Sequence, residues 1–114
     1  MLTPDTTPPG ETTAPTPLLS IVTSVYRSAQ FIDRFIDEMT AAVGEAGIER
    51  YELVFVNDGS PDESLQKLIQ ARSTNAAIKI VDLSRNFGHH KAVMAGLAHA
   101  KGDLLFIIDC DLEV

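Results

Sequence analysis

The chain has 114 residues, of which 45% are hydrophobic and 22% charged, a composition typical of one soluble globular domain. A formal net charge of −7, with lysines and arginines scattered along the chain, argues against a nucleic-acid partner. Its single cysteine excludes an internal disulfide, and no apolar run reaches the ~20 residues that span a bilayer. We therefore expect a cytoplasmic protein with no membrane segment in this chain.

Residues 1–17 differ in composition from the rest of the chain. They are rich in threonine and proline and almost free of large apolar side chains. Such a segment buries too little surface to offset its ordering entropy. We interpret it as a disordered leader, and residues 18–114 as the folded domain.

Four short apolar segments follow the leader and alternate with helical patterns. Strands are predicted at residues 18–25, 51–56, 77–83 and 104–108. Nearly continuous apolar strands are typical of a parallel sheet that is covered on both faces. Alternation with short connections implies right-handed βαβ crossovers. The sequence thus predicts an α/β fold, a Rossmann-like parallel sheet with helices on both faces.

Three helices are predicted from apolar spacing and from start signals. The first follows Ser28 as its N-cap. The second is predicted to begin in a capping box from Ser60 to Glu63, with Pro61 at the first helical position. The third covers about residues 90–100. Its apolar residues are Val93, Met94, Leu97 and Ala98.

Polar side chains follow each predicted strand. Tyr26 comes after the first, Asp58 after the second, Arg85 after the third and Asp109 after the fourth. In an open α/β sheet, ligands bind beyond the carboxyl ends of the strands. We therefore expect one polar rim that forms a ligand site.

The strongest local signal is Asp109-Cys110-Asp111, which follows five apolar residues. Two carboxylates at the end of a buried strand are partly desolvated and repel each other, and a divalent cation relieves that repulsion. Oxygen ligands suit Mg²⁺ or Mn²⁺. Glu113 is a candidate third ligand. A turn with two solvated aspartates is the alternative.

The other candidate residues each have two interpretations. Asp58 and Ser60 either form a turn and a helix cap, or Asp58 accepts hydrogen bonds from a base or ribose. Arg85 precedes a helix and either meets a phosphate or stacks on a base, or lies in an ordinary loop. His89 and His90 are adjacent and point apart, and nothing offers them zinc spacing, so no metal role is expected.

Four segments, taken in order, resemble glycosyltransferase family 2, especially its polyprenyl-phosphate and dolichol-phosphate sugar synthase-like members. They are residues 19–26, 55–60, 83–89 and 95–113. The resemblance implies a GT-A fold and metal-dependent, inverting transfer from a UDP- or GDP-sugar to an acceptor such as a polyprenyl phosphate or a glycan. It also implies a place at the inner face of the membrane for a longer relative.

The resemblance further implies roles for individual residues. Tyr26 would lie beside the base, and Asp58 would contact it. The ribose and the metal-bound diphosphate would be held by Asp109, Cys110 and Asp111, and Glu113 would ligate the metal. The chain departs from the family pattern at Ser24, where proline is usual, and at Arg27-Ser28, where Asn-Glu is usual.

The family's acceptor half, with its general base, would follow Asp111. The chain is therefore expected to supply the donor-binding half and to turn over little donor alone. A phosphatase of the haloacid dehalogenase type, with Asp109 as nucleophile, is an alternative from another enzyme class. An inactive fragment that binds nucleotide weakly is a second alternative.

Overall fold

The structure, a computed structural model, describes residues 16–111. Residues 1–15 of the predicted leader and the candidate ligand Glu113 lie outside this range. The elements in chain order are β1 (Leu19–Val25), α1 (Ala29–Glu45), β2 (Tyr51–Asn57), α2 (Ser64–Arg72), β3 (Ile78–Asp82), α3 (His89–His99) and β4 (Leu104–Ile107).

All four strands form one parallel sheet in the order β3-β2-β1-β4. The chain moves outward from β1 to β3 and then returns to the other side of β1 for β4. The strand order therefore switches direction between β1 and β4, the place where open α/β sheets bind ligands. The predicted α/β, Rossmann-like sheet is confirmed.

Helices cover both faces of this sheet, as predicted. Successive strand residues point to opposite faces, so each of the central strands β1 and β2 contributes to two apolar clusters. The cluster under α1 and α2 includes Ile21, Val25, Leu53, Phe55 and Phe35. The cluster under α3 includes Val22, Val54, Val56, Val81 and Ala92. Burial of these side chains fixes the two strands whose carboxyl ends line the site described below.

The start of α1 depends on a carboxylate from another part of the chain. The helix begins directly after Ser28, as predicted, but the Ser28 hydroxyl donates to the Tyr26 carbonyl instead of capping the helix. The backbone N–H of Ala29 donates to Asp62 Oδ2 at 3.2 Å. Asp62 thus caps a helix that begins 33 residues earlier in the chain.

The predicted start of α2 at Pro61 is wrong by three residues. The helix begins at Ser64, and the capping box from Ser60 to Glu63 is not formed. The Ser60 hydroxyl accepts from the backbone N–H of Arg27 at 2.7 Å and donates to Asp62. Because the Ser60 hydroxyl already makes these hydrogen bonds, it does not cap α2. Asp62 accepts from the Ser64 backbone N–H at 3.0 Å instead.

The buried face of α3 also differs from the expected one. Its buried residues are Ala92 and Gly96, whereas Met94 is 54% exposed. A Cβ atom on Gly96 would lie 2.6 Å from Val22 Cγ1 and 2.7 Å from Val56 Cγ2. The helix axis is therefore so close to the sheet that only small residues fit, and the larger apolar residues flank the contact.

At the edge of the sheet, β4 is fastened to the rest of the fold by a buried carboxylate at its start. Glu52 accepts from the Ser20 hydroxyl at 2.5 Å and from the Lys101 backbone N–H at 2.7 Å, and Lys79 pairs with it at 2.9 Å. Burial opposes ionisation, but these partners lower the Glu52 pKa. The side chains of β4 itself are 49–60% exposed. Within residues 16–111, no helix is long and apolar enough to cross a membrane.

Asp62 is expected to make the fold sensitive to acid. Burial opposes its ionisation, but hydrogen bonds from Ser60, Ser64 and Ala29 lower its pKa from 3.8 to about 2. Because the unfolded chain binds the proton first, the stabilisation is complete above about pH 4 and is lost as the pH falls through 2. Melting curves of the wild type and of Asp62→Asn should therefore differ at pH 5 and converge near pH 2.

A matched control for this effect is Asp37→Asn on the exposed side of α1. That variant should follow the wild-type melting temperature across the same pH range. A constant difference between Asp62→Asn and the wild type from pH 5 to pH 2 would contradict the assignment of the acid sensitivity to Asp62.

Candidate functional site

An open cleft of about 440 Å³ lies at the carboxyl edge of the sheet, beyond the ends of β1, β2 and β4. Its volume falls within the range of small-molecule sites. The cleft is lined by Ser24, Tyr26, Arg27, Ser28, Phe31, Asp58, Asn86, Gly88, His89, Asp109, Cys110 and Asp111. Five of the seven predicted site residues are therefore brought together.

Strand register explains why residues distant in sequence meet here. In the β1–β2 pair, Val25 lies opposite Asn57, so Tyr26 and Asp58 leave the sheet side by side. In the β1–β4 pair, Val22 lies opposite Ile107, and the same offset places Asp109 next to Ser24. All of these residues follow parallel strands and therefore share one rim.

Asp58 joins two loops beneath the cleft. Its side chain is 2% exposed. Its Oδ1 accepts from the Phe87 backbone N–H at 2.8 Å, and its Oδ2 accepts from the Gly88 N–H and the Asn86 side-chain amide, both at 3.1 Å. These donors compensate the buried charge. Asp58 does not cap α2; it fixes the loop that leads into α3.

Tyr26 and Arg27 form one wall of the cleft. Arg27 has a φ of 54°, a left-handed backbone conformation that non-glycine residues adopt mainly where surrounding contacts hold it. Its guanidinium carbon lies 5.4 Å from the centre of the Tyr26 ring, and a hydrogen bond with Tyr26 raises the Arg27 pKa. The wall thus combines an aromatic face with a cation.

Arg27 follows Tyr26 at the end of the first predicted strand, and no ligand contact was predicted for it. Its place in the cleft depends on the left-handed backbone and on the Ser60 hydroxyl, which accepts from the Arg27 N–H. Neither feature has a local sequence signal, because positive φ at a non-glycine residue is set by tertiary contacts.

Besides the buried Asp58, the carboxylates that line the cleft are those of Asp109 and Asp111. The Asp109 side chain is 55% exposed, so a ligand can reach it. Among the described residues, no cluster of three or more histidine, cysteine or acidic side chains could enclose a metal ion. Two carboxylates together with substrate phosphates are nevertheless a usual ligand set for Mg²⁺. The donor set fits a cation shared with a diphosphate, and not a closed structural metal site.

Cys110, between the two aspartates, points into the core. It is 5% exposed and belongs to the apolar cluster under α1 and α2. Burial, together with the charge of Asp111, raises the pKa of the Cys110 thiol from 9.0 to about 12. The sulfur is therefore unsuited to act as a nucleophile at neutral pH.

The Cys110 thiol is expected to resist alkylation in the folded protein. A pKa of about 12 leaves roughly 1,000-fold less thiolate at neutral pH than a pKa of 9. Iodoacetamide should modify the native chain very slowly and the guanidinium-unfolded chain at the rate of a free thiol. Mass spectrometry over time measures both rates, and Cys110→Ser is the unreactive control. Equal rates in the two states would contradict the buried placement.

Arg85 is not among the residues that line the cleft. It is exposed, and its guanidinium carbon lies 4.5 Å from the centre of the Phe87 ring. The loop that carries it contributes to the cleft through Asn86, Gly88 and His89 instead. The predicted contact of Arg85 with a nucleotide would therefore require the side chain to leave Phe87.

His89, the first residue of α3, lines the cleft, although no role was predicted for it from the sequence. Its Nδ1 lies 2.7 Å from Ser24 Oγ, and its Nε2 lies 4.0 Å from Asp109 Oδ1. The adjacent His90 is exposed and does not line the cleft. The position of His89 at the start of a helix that faces the strand ends is the feature that indicates a site residue. Its spacing to other candidate metal ligands does not indicate one.

Comparison with known protein families identifies the family to which the sequence belongs. A family model described as Glycosyl transferase family 2 matches residues 20–114.

The chain belongs to glycosyl transferase family 2. A Mycobacterium tuberculosis (strain CDC 1551 / Oshkosh) protein named among glycosyltransferases is 47% identical over 95 residues, covering 83% of this chain and 28% of that protein. YkcC of Bacillus subtilis (strain 168), named an uncharacterized glycosyltransferase, is 39% identical over 94 residues, covering 82% and 29%. This family 2 chain thus spans less than a third of the length of either relative.

Solved structures show the same fold. Mannosyltransferase PcManGT from Pyrobaculum calidifontis, in complex with GDP-Man and Mn²⁺, superposes with a TM-score of 0.74 at 24% identity, over 86% of this chain and 28% of that one. S. aureus TarS 1-349, in complex with UDP, gives a TM-score of 0.67 at 24% identity, over 82% and 27%. At this identity the likeness establishes the GT-A type of fold alone. Family membership argues against the phosphatase alternative.

Proposed function

We propose that this chain binds a nucleoside-diphosphate sugar together with Mg²⁺ or Mn²⁺, as the donor half of an inverting glycosyltransferase. The observation that carries the proposal is the convergence of Tyr26, Asp58, Asp109 and Asp111 on one cleft at the switch in strand order. A cleft that combines an aromatic face, a cation and surface carboxylates suits a ligand with a base, a diphosphate and a bound metal.

The proposed roles follow from where each side chain lies. Tyr26 is 42% exposed, so its ring offers a face against which a base can stack. Asp58 lies at the floor, where the acceptor position left on its Oδ1 can receive a base or ribose donor. Arg27 supplies positive charge for the diphosphate.

Asp109 and Asp111 would hold the cation, with Glu113 as a further ligand. A cation bound there would neutralise the charge that builds on the leaving diphosphate. The bound nucleotides and the Mn²⁺ named for PcManGT and TarS support this choice of ligand class. Backbone groups of Cys110 complete the proposed contact with the ribose, since the thiol itself is buried.

Transfer of the sugar to a glycan acceptor needs a base that deprotonates the attacking hydroxyl, whereas a polyprenyl phosphate would attack through an oxygen that is already ionised. We propose that this base, and the contacts that select a polyprenyl phosphate or glycan acceptor, come from sequence that the longer relatives have beyond the matched segment. The 114-residue chain is then a donor-binding unit that turns over little or no sugar nucleotide alone. Robust transfer by the purified chain would contradict this part.

Calorimetric titration of the purified chain tests the donor proposal. UDP and GDP should each be titrated in Mn²⁺, in Mg²⁺ and in EDTA, with AMP as a ligand that lacks a diphosphate. We expect at least one nucleoside diphosphate to bind roughly 10-fold or more tightly in Mn²⁺ than in EDTA. Binding that ignores the metal, or equal binding of AMP, would contradict the proposal.

A further inference from the structure

Three side chains from separate elements meet on the α3 face of the cleft. Ser24 lies on the same face of β1 as Val22, which packs under α3. The β1–β4 register places Asp109 beside Ser24. The first turn of α3 brings His89 against both of them. The proposed donor binding uses neither Ser24 nor His89.

The hydrogen bond to Ser24 determines which way the imidazole presents its two nitrogens. The Ser24 hydroxyl and His89 Nδ1 are 2.7 Å apart, and Nε2 faces Asp109 Oδ1 at 4.0 Å. If the hydroxyl donates to Nδ1, a neutral ring carries its proton on Nε2. That tautomer directs an N–H toward the carboxylate, whereas the other would direct a lone pair at it. Electrostatics favours the Nε2–H tautomer.

We propose that His89, held by Ser24, is a positioning residue for Asp109. Its Nε2–H fixes one carboxylate oxygen on the α3 side and leaves the second oxygen facing the cleft, where a cation would bind. The inference rests on the proposed function in giving Asp109 a cation to hold. Histidine–carboxylate contacts that orient a metal ligand are a common way to raise metal affinity.

The distance of 4.0 Å is longer than a hydrogen bond. A bridging water, or a small rotation of the Asp109 carboxylate when its ligand arrives, would close the gap. The Asp109 side chain is 55% exposed, which leaves it free to rotate. The ring is fixed on its other side by Ser24.

The tautomer of His89 tests the inference without any metal. Long-range ¹H–¹⁵N spectra at about pH 8 distinguish Nδ1–H from Nε2–H in a neutral ring. We expect His89 to be the Nε2–H tautomer, Ser24→Ala to give a mixture, and Asp109→Asn to shift the Nε2 signal. His90 serves as the internal control and should respond to neither change. An Nδ1–H tautomer, or a His89 signal that is unchanged in both variants, would overturn the proposal.

Mn²⁺ affinity in the presence of the nucleoside diphosphate tests the consequence. Electron paramagnetic resonance of free Mn²⁺ should show His89→Leu binding about 10-fold more weakly. His89→Gln, which keeps an N–H donor, should stay within about twofold of the wild type. His90→Leu is the matched control and should bind normally, with melting temperatures of all variants unchanged in the absence of metal. Wild-type affinity in His89→Leu would overturn the proposal.

Failure of the inference and failure of the proposed function give different results. A wild-type chain that binds no Mn²⁺ with either nucleotide would refute the proposed function, and the tautomer experiment would still decide whether His89 orients Asp109. A wild-type chain that binds Mn²⁺ through Asp109, with no loss in His89→Leu, would refute the positioning role alone.

Discussion

Replacing Gly59 with alanine is expected to destabilise the folded chain by about 3 kcal/mol or more. Gly59 has a φ of 65°, and a left-handed conformation costs a residue with a Cβ roughly 1–2 kcal/mol. The added Cβ would also collide with the backbone of Arg85 and Asn86. Those atoms are backbone and cannot rotate away, so the two loops joined by Asp58 would have to separate, which adds a cost of the order seen for overpacking.

Thermal melting measures this effect against a close internal control. Gly47 has a φ of 73°, but a Cβ there meets nothing within 4 Å. Gly47→Ala should therefore show only the conformational cost of about 1 kcal/mol. For a domain of this size, 1 kcal/mol corresponds to roughly 4–8 °C, so Gly59→Ala should melt at least ~12 °C below the wild type. Equal melting temperatures for the two variants would contradict the close contact at Gly59.

Replacing Asp109 with asparagine is expected to remove the metal-dependent part of nucleotide binding. The amide keeps the size of the side chain and loses its charge, so it is a much weaker ligand for a hard cation. Affinity for the nucleoside diphosphate in Mn²⁺ should fall to the value that the wild type shows in EDTA. Calorimetry of the two proteins under both conditions measures the difference.

Two controls make the Asp109 result specific. Asp37→Asn removes an acidic charge from the exposed side of α1, away from the cleft, and should bind like the wild type. In EDTA, Asp109→Asn should bind the nucleoside diphosphate as tightly as the wild type does or slightly more tightly, because a charge that repels phosphate has been removed. Full Mn²⁺-dependent binding by Asp109→Asn would place the cation elsewhere.

The fold was predictable because its main signals are local and repeated. Short, mostly apolar segments of four to seven residues mark the strands, and their alternation with helices fixes the parallel topology. Only the central strands β1 and β2 are buried on both faces, whereas β4 is exposed. The start of α2 was mispredicted because the Ser60 hydroxyl accepts a hydrogen bond from the Arg27 N–H and donates one to Asp62. No local sequence pattern reveals these contacts. The buried face of α3 was mispredicted because close packing selects Gly96 over larger apolar residues.

The candidate site was predictable in outline for a different reason. Residues that follow parallel strands must share a rim, so Tyr26, Asp58 and Asp109 could be grouped from the strand ends alone. Arg27 also follows the first strand, but its contact with Tyr26 depends on a left-handed backbone, and the place of His89 depends on a hydrogen bond to Ser24. The hydrogen bonds by which Asp58 anchors the loop before α3 also have no local sequence signal.

Paramagnetic broadening by Mn²⁺ tests most directly whether one cleft takes both the cation and the nucleotide. In ¹H–¹⁵N spectra of the chain with saturating nucleoside diphosphate, substoichiometric Mn²⁺ should erase the amide signals of Asp109 and Asp111 first, and then those of Tyr26 and Asp58. The amide of Lys101, which bonds to Glu52 at the opposite edge of the sheet, should persist. Broadening centred away from the carboxyl edge, or none at all, would contradict a shared nucleotide and metal site.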